Sequence, residues 1–360
     1  MFRRHHGSMV LRHACQALSL RLIDNKDCFY KMDSKTPRYA ARLNAFKIGA
    51  ENYWPGKNRI TTIDMLSRAA TVDGLNAVDF NYPDHFDDCT TAELKQCIND
   101  LDIHLNGMAM RYYTDPGYKL GGFTNPDPRV RQSAIDLTRQ GIDKLSELGG
   151  SLMTLWLGQD GFDYSFQANY QQLWDYTLEA LAVVCDHNKN VDISLEYKPN
   201  EPRSYSLMPD VGSNLLALSE LNRPNTGITL DFAHVLYAEE MPAHAAAMVG
   251  RFSRLLGVHL NDGYGKRDDG LMIGSVHPVQ TVELFVEMKR LAYNSTIYFD
   301  TFPDLSGLDP VAEATVNVKM ANKLSAIADT LADNDELRAA IARQDAPSSQ
   351  AIVNRALYGK

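Results

Sequence analysis

The sequence predicts a single (β/α)₈ barrel, and two observations support this prediction. Short β-branched or aromatic runs bounded by Gly, Pro, Asn or Asp alternate with longer stretches whose apolar residues recur every three or four positions, as strands and helices do. Eight such strand candidates follow one another at a mean spacing of about 36 residues, which is typical of βα units in a barrel. The candidates are Ala45–Ala50, Ala77–Tyr82, His104–Met110, Leu152–Leu157, Val191–Tyr197, Thr226–Phe232, Leu255–Asn261 and Ser295–Thr301.

A doubly wound parallel sheet is the alternative architecture. Such a sheet places a glycine-rich, phosphate-binding turn after its first strand. The segment from Phe46 to Glu51 contains only one glycine, Gly49, so the sequence favours the barrel.

The chain is divided into three parts by these elements. Residues 1–44 are expected to form an N-terminal arm, residues 45–305 the barrel, and residues 306–360 a helical tail. The tail contains three helix candidates, Val311–Leu331, Asp333–Gln344 and Ser348–Tyr358. A helical tail after a closed barrel often packs on its outside or against another subunit.

Composition and charge exclude several classes of function. The 360 residues are 44% hydrophobic and 22% charged, as in an ordinary folded protein, and the formal net charge is −9. Residues 1–23 contain four arginines and no acid, so the rest of the chain carries −13 and is a poor candidate for binding nucleic acid or an anionic membrane. This Arg-rich start also suits a targeting peptide or a dispensable arm.

Cysteine usage and hydropathy indicate a compartment. The five cysteines are scattered and form no C-x-x-C pair, which favours a reducing compartment, and we therefore expect a cytoplasmic protein. No run of about 18 apolar residues predicts a membrane-spanning helix.

Each of the last four predicted strands carries one ionisable residue near its end, which interrupts a run of otherwise apolar or small residues. These residues are Glu196, Asp231, His259 and Asp300. A barrel places its chemistry at the carboxyl ends of its strands, and three carboxylates with one imidazole are suitable ligands for Mn²⁺, Mg²⁺ or Co²⁺. Each acid taken alone has an alternative role as a helix cap or ion-pair partner.

A second group of polar residues surrounds these four. His234 follows Asp231 by three residues and could reach a second cation, with Asp268 or Asp269 of the following polar loop as a partner. Lys198 lies two residues after Glu196, so alternation in the strand places both side chains on the same side, where the lysine could neutralise an oxyanion. The alternative for the loop acids is a solvated surface.

These motifs resemble those of the xylose isomerases. The segment Leu195–Arg203 is similar to their E-x-K-P-N-E-P-R signature, and Trp156 to Gly161 is similar to their W-G-G-x-x-G turn. Asp231 to His234 resembles their E-x-x-H motif, and Phe299-Asp300 resembles their terminal F-D. The resemblance covers residues 150–305 and implies a xylose isomerase-like TIM barrel.

Departures from the family pattern indicate a particular branch. Along the chain, the four predicted metal ligands are Glu, Asp, His and Asp, which resembles the ligand order of L-rhamnose isomerases and their relatives. In the C3 epimerases of the superfamily, the fourth ligand is Glu instead. The second aspartate of the family's D-x-D motif is replaced by Gly270, so Asp269 or Asp262 is a possible replacement ligand. The ring-opening histidine is not reproduced; Asn81 is nearest in position, with His85 further along.

The resemblance implies a divalent-metal-dependent aldose–ketose isomerase that acts on a small sugar by a metal-assisted 1,2-hydrogen shift. It implies two divalent cations, Mn²⁺ foremost, held by Glu196, Asp231, His259, Asp300, His234 and Asp268. It further implies catalytic roles for Lys198, Glu196 and Asp300, sugar contacts from Trp156, Trp54 and His85, and a homodimer or homotetramer. Four alternatives stay open: a ketose 3-epimerase, a sugar lyase or dehydratase, a metal-dependent DNA-repair endonuclease and a non-catalytic sugar-binding protein.

Overall fold

Eight parallel strands form a barrel in the computed structural model, which describes residues 37–359. The strands are β1 (Tyr39–Ala41), β2 (Ala77–Tyr82), β3 (His104–Met110), β4 (Leu152–Trp156), β5 (Asp192–Glu196), β6 (Thr226–Asp231), β7 (Leu255–Leu260) and β8 (Ile297–Phe299). β1 pairs in parallel with β8, and the ring closes beside β2, where the backbone N–H of Asn76 donates to the carbonyl of Tyr39 at 3.1 Å. The predicted (β/α)₈ barrel is confirmed.

Helices connect successive strands and cover the outside of the barrel. They are α1 (Ala50–Tyr53), α2 (Thr62–Ala69), α3 (Thr91–Asp100), α4 (Pro128–Leu148), α5 (Tyr170–His187), α6 (Val211–Leu221), α7 (Phe232–Tyr237), α8 (Pro242–Phe252), α9 (Pro278–Arg290), α10 (Pro303–Ser306), α11 (Pro310–Ala332), α12 (Asp335–Ala342) and α13 (Ala346–Tyr358). A short antiparallel pair, Gly161–Phe162 with Tyr205–Ser206, joins the loops after β4 and β5. No helix in residues 37–359 combines the length and apolarity that a membrane crossing requires.

The first strand lies earlier in the chain than the sequence predicts. The segment Ala45–Ala50 is predicted as a strand, but Leu43–Lys47 forms a 3₁₀ helix and Gly49 has a φ of 65°, which ends any extended run. The actual strand, Tyr39–Ala41, is only three residues long and has no β-branched residue, so it gives little strand signal. The barrel therefore begins inside the region predicted as an arm, whose residues 1–36 lie outside the described part.

The helical tail is confirmed with small shifts at its ends. Helices α11, α12 and α13 correspond to the three predicted segments, and α11 packs its buried face onto the barrel helices. Pro347, which is predicted to separate two helices, lies in the first turn of α13, where proline is well tolerated because that N–H has no partner within the helix.

The apolar core lies mainly between the strands and the helices rather than inside the barrel. One large cluster holds most buried apolar residues, and a separate cluster contains only Ala40, Ala77 and Tyr298. Strand alternation places these three residues on the same strand faces as the residues at the carboxyl ends that line the cavity described below. Ser194 and Thr229 share this interior and lie 2.6 Å apart through their hydroxyl oxygens. The interior below the site is therefore small and polar.

Candidate active site

Four strand ends bring together the predicted ligand set. Glu196 and Asp231 are the last residues of β5 and β6, His259 is the penultimate residue of β7, and Asp300 directly follows β8. Each of the four residues offers one ligand atom, and these atoms lie within 4.8 Å of one another. Three carboxylate oxygens and one imidazole nitrogen at this spacing can surround a single divalent cation.

The electrostatics of this cluster favour a positive charge at its centre. Burial raises the pKa of Asp231 to about 7 and also raises the pKa of Asp300. Burial alone would lower the pKa of His259, but the carboxylates of Glu196 and Asp300 raise it to about 9. Protons therefore occupy this cluster when no cation is present, and a bound divalent cation would displace them.

A second cluster adjoins the first and involves His234 and Asp268. The Nε2 atom of His234 lies 3.1 Å from Oδ2 of Asp268, and its Nδ1 atom lies 3.6 Å from Oε1 of Glu196. The ammonium group of Lys198 donates to the same Asp268 oxygen at 3.1 Å and lies 2.9 Å from Oε2 of Glu201. Although burial acts in the opposite direction, the charges of His234 and Lys198 hold the pKa of Asp268 below its usual range. His234 thus links Glu196 and Asp268 through its two ring nitrogens, and among the described residues only the first cluster brings its ligand atoms within 4.8 Å of one another.

Asp269 and Asp262, the two alternative ligands for the second cation, form hydrogen bonds within the loop after β7 instead. Asp269 accepts hydrogen bonds from the backbone of Tyr264 and the side chain of Arg267. Asp262 is fully buried and accepts from the backbone and the imidazole of His277 at 2.9 and 2.8 Å. Neither acid lines the cavity that holds His234 and Asp268, so both hold the loop after β7 in shape.

Gly270 replaces the second family aspartate because a side chain does not fit there. Its φ is 57°, and a Cβ atom built on it would overlap the ring of Phe302. We expect Gly270→Ala to lower the free energy of unfolding by about 1 kcal/mol for the left-handed backbone and by about 1–3 kcal/mol more for the overpacking. Gly265→Ala is the matched control, since its φ is 68° but its nearest contact would be 3.5 Å away. If urea unfolding showed the same loss of unfolding free energy in Gly270→Ala and Gly265→Ala, the predicted clash with Phe302 would be contradicted.

A cavity of about 320 Å³ opens over the two clusters. Its lining includes Glu196, His234, His259, Asp268 and Asp300. The remaining lining is Arg42, Asp79, Asn81, Ala109, Met110, Arg111, Tyr113, Thr154, Trp156, Lys198, Glu201, Tyr298, Phe302 and Asp304. This volume is sufficient for a small polar molecule of about six carbons.

Unpaired polar atoms are concentrated in this cavity. Six buried side-chain nitrogen or oxygen atoms in the described residues have no hydrogen-bond partner, and four belong to cavity residues: Arg111 Nε, Trp156 Nε1, His234 Nδ1 and Asp268 Oδ1. Because unpaired buried polar groups are costly, such a concentration indicates a site completed by ligands. The free His234 nitrogen and Asp268 oxygen, both atoms of metal-ligating types, fit a divalent cation.

Trp156 is the predicted sugar contact that the structure does place in the cavity. Its ring meets Tyr113 edge-on at 5.0 Å, and the Lys198 ammonium lies 5.4 Å from its centroid. A Cβ atom at Gly158 would overlap the indole, so only glycine permits this position of the ring. The indole therefore forms a fixed apolar wall beside Lys198.

Trp54 and His85 are not brought into the cavity. Trp54 packs against Tyr53 and lies 5.6 Å from the guanidinium carbon of Arg68. His85 is 1% exposed, accepts from the backbone N–H of Asn81 at 3.0 Å through Nδ1, and lies 3.0 Å from the side-chain oxygen of Asn44 through Nε2. His85 therefore supports the loop after β2 as a neutral imidazole.

The buried state of His85 predicts a pH-dependent stability. Burial lowers its pKa from 6.5 to about 3, so between these values the unfolded chain binds a proton that the folded chain does not. Its contribution to stability is present above pH 6.5 and falls by about 1.4 kcal/mol per unit as the pH is lowered below that value. We expect the loss of unfolding free energy between about pH 7 and pH 5 to be about 2 kcal/mol smaller in His85→Gln. Parallel pH curves for the two proteins would contradict this assignment.

Several cavity residues have no counterpart among the sequence predictions. Arg111 directly follows β3. The rule that a barrel places its site at the carboxyl ends of its strands therefore identifies Arg111, provided that basic residues are considered as well as acids. Arg42 follows β1, and the strand-end rule does not identify it because the sequence predicts the first strand at Ala45–Ala50. Asn261 lies outside the cavity lining and donates to both oxygens of Asp231, at 3.1 and 3.0 Å, and thereby orients a carboxylate of the predicted ligand set.

Comparison with known proteins places this arrangement among related barrels. A family model described as xylose isomerase-like TIM barrel matches residues 66–323. The xylose isomerase of Thermus thermophilus is 30% identical over 212 residues, covering 57% of this chain and 55% of that protein. The xylose isomerase of Thermus caldophilus matches to the same extent. The chain thus spans about half the length of these curated relatives.

Solved structures share the fold at lower sequence identity. A D-tagatose 3-epimerase-like protein aligns with a TM-score of 0.66 and 16% identity, covering 82% of this chain and 98% of that one. An L-ribulose 3-epimerase aligns with a TM-score of 0.64 and 17% identity, covering 82% and 96%. At these identities the likeness supports the barrel fold alone.

Proposed function

Because this chain belongs to the xylose isomerase-like TIM barrel family, we propose that it is a divalent-metal-dependent isomerase that interconverts an aldose and a ketose of a small sugar. The observation that carries the proposal is the meeting of Glu196, Asp231, His259 and Asp300 at the open end of the barrel, within 4.8 Å and beneath the cavity. The relatives named as xylose isomerases support the same class of reaction.

The cofactor in this proposal is a pair of divalent cations, with Mn²⁺ foremost and Mg²⁺ or Co²⁺ as alternatives. Glu196, Asp231, His259 and Asp300 would hold the first, and Glu196, His234 and Asp268 the second. When bound, such cations polarise carbonyl and hydroxyl oxygens and neutralise charge that develops on them.

The side chains of the site have distinct roles in the reaction. An aldose and its ketose differ by moving one hydrogen between C1 and C2 and one proton between their oxygens. The Lys198 ammonium would donate a hydrogen bond to the charge developing on O1. His234 and Asp268 would hold the second cation beside the hydroxyl that gives up its proton. Trp156 and Tyr113 would cover the carbon chain and exclude water.

A ketose 3-epimerase is the second candidate. The solved structures on this fold include a D-tagatose 3-epimerase-like protein and an L-ribulose 3-epimerase. The epimerase would use Asp300 to remove a proton from C3, and Asp300 is one methylene shorter than the glutamate that ends the ligand order in the resembling epimerases. The aldose–ketose isomerase is therefore the first candidate.

One experiment separates the two candidates. The purified protein is incubated in D₂O with four- to six-carbon aldoses and ketoses, with Mn²⁺ and again after EDTA treatment, and products are followed by NMR. The isomerase predicts an aldose–ketose product without deuterium at C3, whereas the epimerase predicts deuterium at C3. Full turnover after EDTA would contradict metal dependence, and sugars left unchanged with Mn²⁺ would contradict both reactions.

Assembly and location form part of the proposal. We propose a cytoplasmic homodimer or homotetramer, in line with the helical tail and with Cys89, Cys97 and Cys185, which are free thiols in the described part. Light scattering coupled to gel filtration would measure the assembly, and a monomer at micromolar concentration would contradict it.

A further inference from the structure

Two arginines and one lysine line the cavity, and they differ in their contacts with carboxylates. Arg42 forms a paired contact with Asp304, with its two terminal nitrogens 2.6 and 3.1 Å from the carboxylate oxygens. Lys198 is balanced by Asp268 and Glu201, as described above. Arg111 has no carboxylate within 4.0 Å among residues 37–359. Of these three side chains, it is the one without a carboxylate in direct contact.

The contacts of Arg111 hold its guanidinium but leave one edge of it available. The terminal nitrogen Nη1 donates to the hydroxyl of Tyr113, and the guanidinium carbon lies 5.2 Å from the centroid of that ring. The Nε atom is buried and has no hydrogen-bond partner. The edge formed by Nε and Nη2 therefore makes no hydrogen bond to the described protein, and its two parallel N–H donors would be satisfied by a ligand that reached the buried Nε.

The position of Arg111 is fixed by the wall of the cavity. Tyr113, which receives the Nη1 hydrogen bond, packs edge-on against Trp156 at 5.0 Å, and Trp156 packs against the Lys198 ammonium. The backbone of Arg111 is tied to β2 by its N–H, which donates to the carbonyl of Tyr82 at 2.9 Å. The nearest carboxylates that feel its charge, Asp84 and Glu196, lie beyond ion-pair distance, so a ligand anion in direct contact would stabilise this partly buried cation.

We propose that Arg111 binds the carboxylate of a sugar acid, so that the substrate is an acidic sugar rather than a neutral one. This inference rests on the proposed function, in which the metal ligands hold the carbonyl end of the sugar and Arg111 holds the other end. A single guanidinium edge with two parallel donors matches a planar carboxylate. A phosphate carries more charge and usually engages several cations or backbone N–H groups, whereas the other two cations here are already paired.

The test uses sugars that differ only at C6. Dissociation constants are measured by calorimetry with the Mn²⁺-supplied protein for D-glucose, D-glucuronate and D-glucose 6-phosphate, and for D-galactose and D-galacturonate. We expect at least one uronate to bind about 10- to 100-fold more tightly than its neutral partner. We expect Arg111→Gln to reduce this uronate-to-hexose ratio by about the same factor. Tighter binding of the 6-phosphate than of glucuronate would overturn the choice of a carboxylate.

Arg42→Gln is the matched control, because it removes the same charge from the same cavity but from a residue already paired with Asp304. We expect it to change the ratio by less than about threefold. If Arg111→Gln and Arg42→Gln changed the uronate-to-hexose affinity ratio equally, the preference would be a long-range effect of charge. That result would overturn direct contact between Arg111 and the carboxylate. Wild-type protein that shows no preference for either uronate would overturn the inference even if Arg111→Gln failed to fold. Arg111-dependent uronate binding without any turnover would instead refute the isomerase proposal and leave this inference standing.

Discussion

Glu196→Gln is expected to lower Mn²⁺ affinity by at least about 100-fold and to abolish turnover, since even partners outside the ligand set contribute about 10- to 100-fold. Glu196 lies at the junction of both clusters: its Oε1 atom is 3.3 Å from Nδ1 of His259 and 3.6 Å from Nδ1 of His234. The amide is nearly identical in shape but lacks the charge that a divalent cation requires. Calorimetric titration with Mn²⁺ and a sugar-conversion assay measure the two effects.

The matched control is Glu179→Gln, which removes the same charge from an exposed position on α5. We expect this variant to bind Mn²⁺ and to turn over substrate as the wild type does. Retention of Mn²⁺ binding and full turnover in Glu196→Gln would refute the metal centre. If Glu196→Gln and Glu179→Gln lost Mn²⁺ affinity and turnover equally, the net charge of the protein, rather than ligation by Glu196, would explain the loss.

Lys198→Gln is expected to lower kcat by about 100- to 1000-fold, the range found when a preorganised donor to a developing oxyanion is removed. The Lys198 side chain is only 9% exposed, and its ammonium is held between Asp268 and the face of Trp156. Because its charge matters most when negative charge develops on the sugar oxygen, KM should change much less than kcat. Steady-state kinetics with the converted sugar measure both constants.

Glu201→Gln provides the comparison for Lys198. It removes a partner of the Lys198 ammonium but leaves the ammonium and its contact with Asp268 in place. Since the Glu201 side chain is 41% exposed, solvent screens this pair and we expect less than about a tenfold loss of kcat. A loss in Glu201→Gln as large as that in Lys198→Gln would show that Lys198 acts through the geometry of the loop and not on the substrate.

The ligand set was predictable from sequence because it follows from two local rules. Strand alternation selects the inward-facing positions, and the barrel brings the carboxyl ends of all strands together. Glu196, Asp231, His259 and Asp300 each interrupt an apolar or small run, so their positions could be read without knowledge of the packing. The local rules predict that these side chains meet, and their ligand atoms lie within 4.8 Å of one another; that they hold a cation stays a prediction.

The rest of the cavity depends on packing that local patterns do not encode. The short strand Tyr39–Ala41 is defined by its pairing with β8, and without it Arg42 could not be assigned to the site. His85 is near the cavity in sequence, but its hydrogen bond to Asn44 turns it into the support of a loop. Asp304 forms an ion pair with Arg42 and not with Arg111. It lies more than 190 residues beyond either arginine in the chain, so local sequence patterns do not show which arginine it pairs with.

The small, polar interior of the barrel affects how readily this protein can change its specificity. One large cluster holds most buried apolar residues, whereas Ala40, Ala77 and Tyr298 form a small separate cluster beneath the cavity. Substitutions at the polar positions of the lining therefore remove little of the apolar burial that stabilises the fold. Over evolutionary time, and equally in a mutant library, these polar positions can be exchanged at low risk of unfolding, so new ligand preferences are accessible by single substitutions.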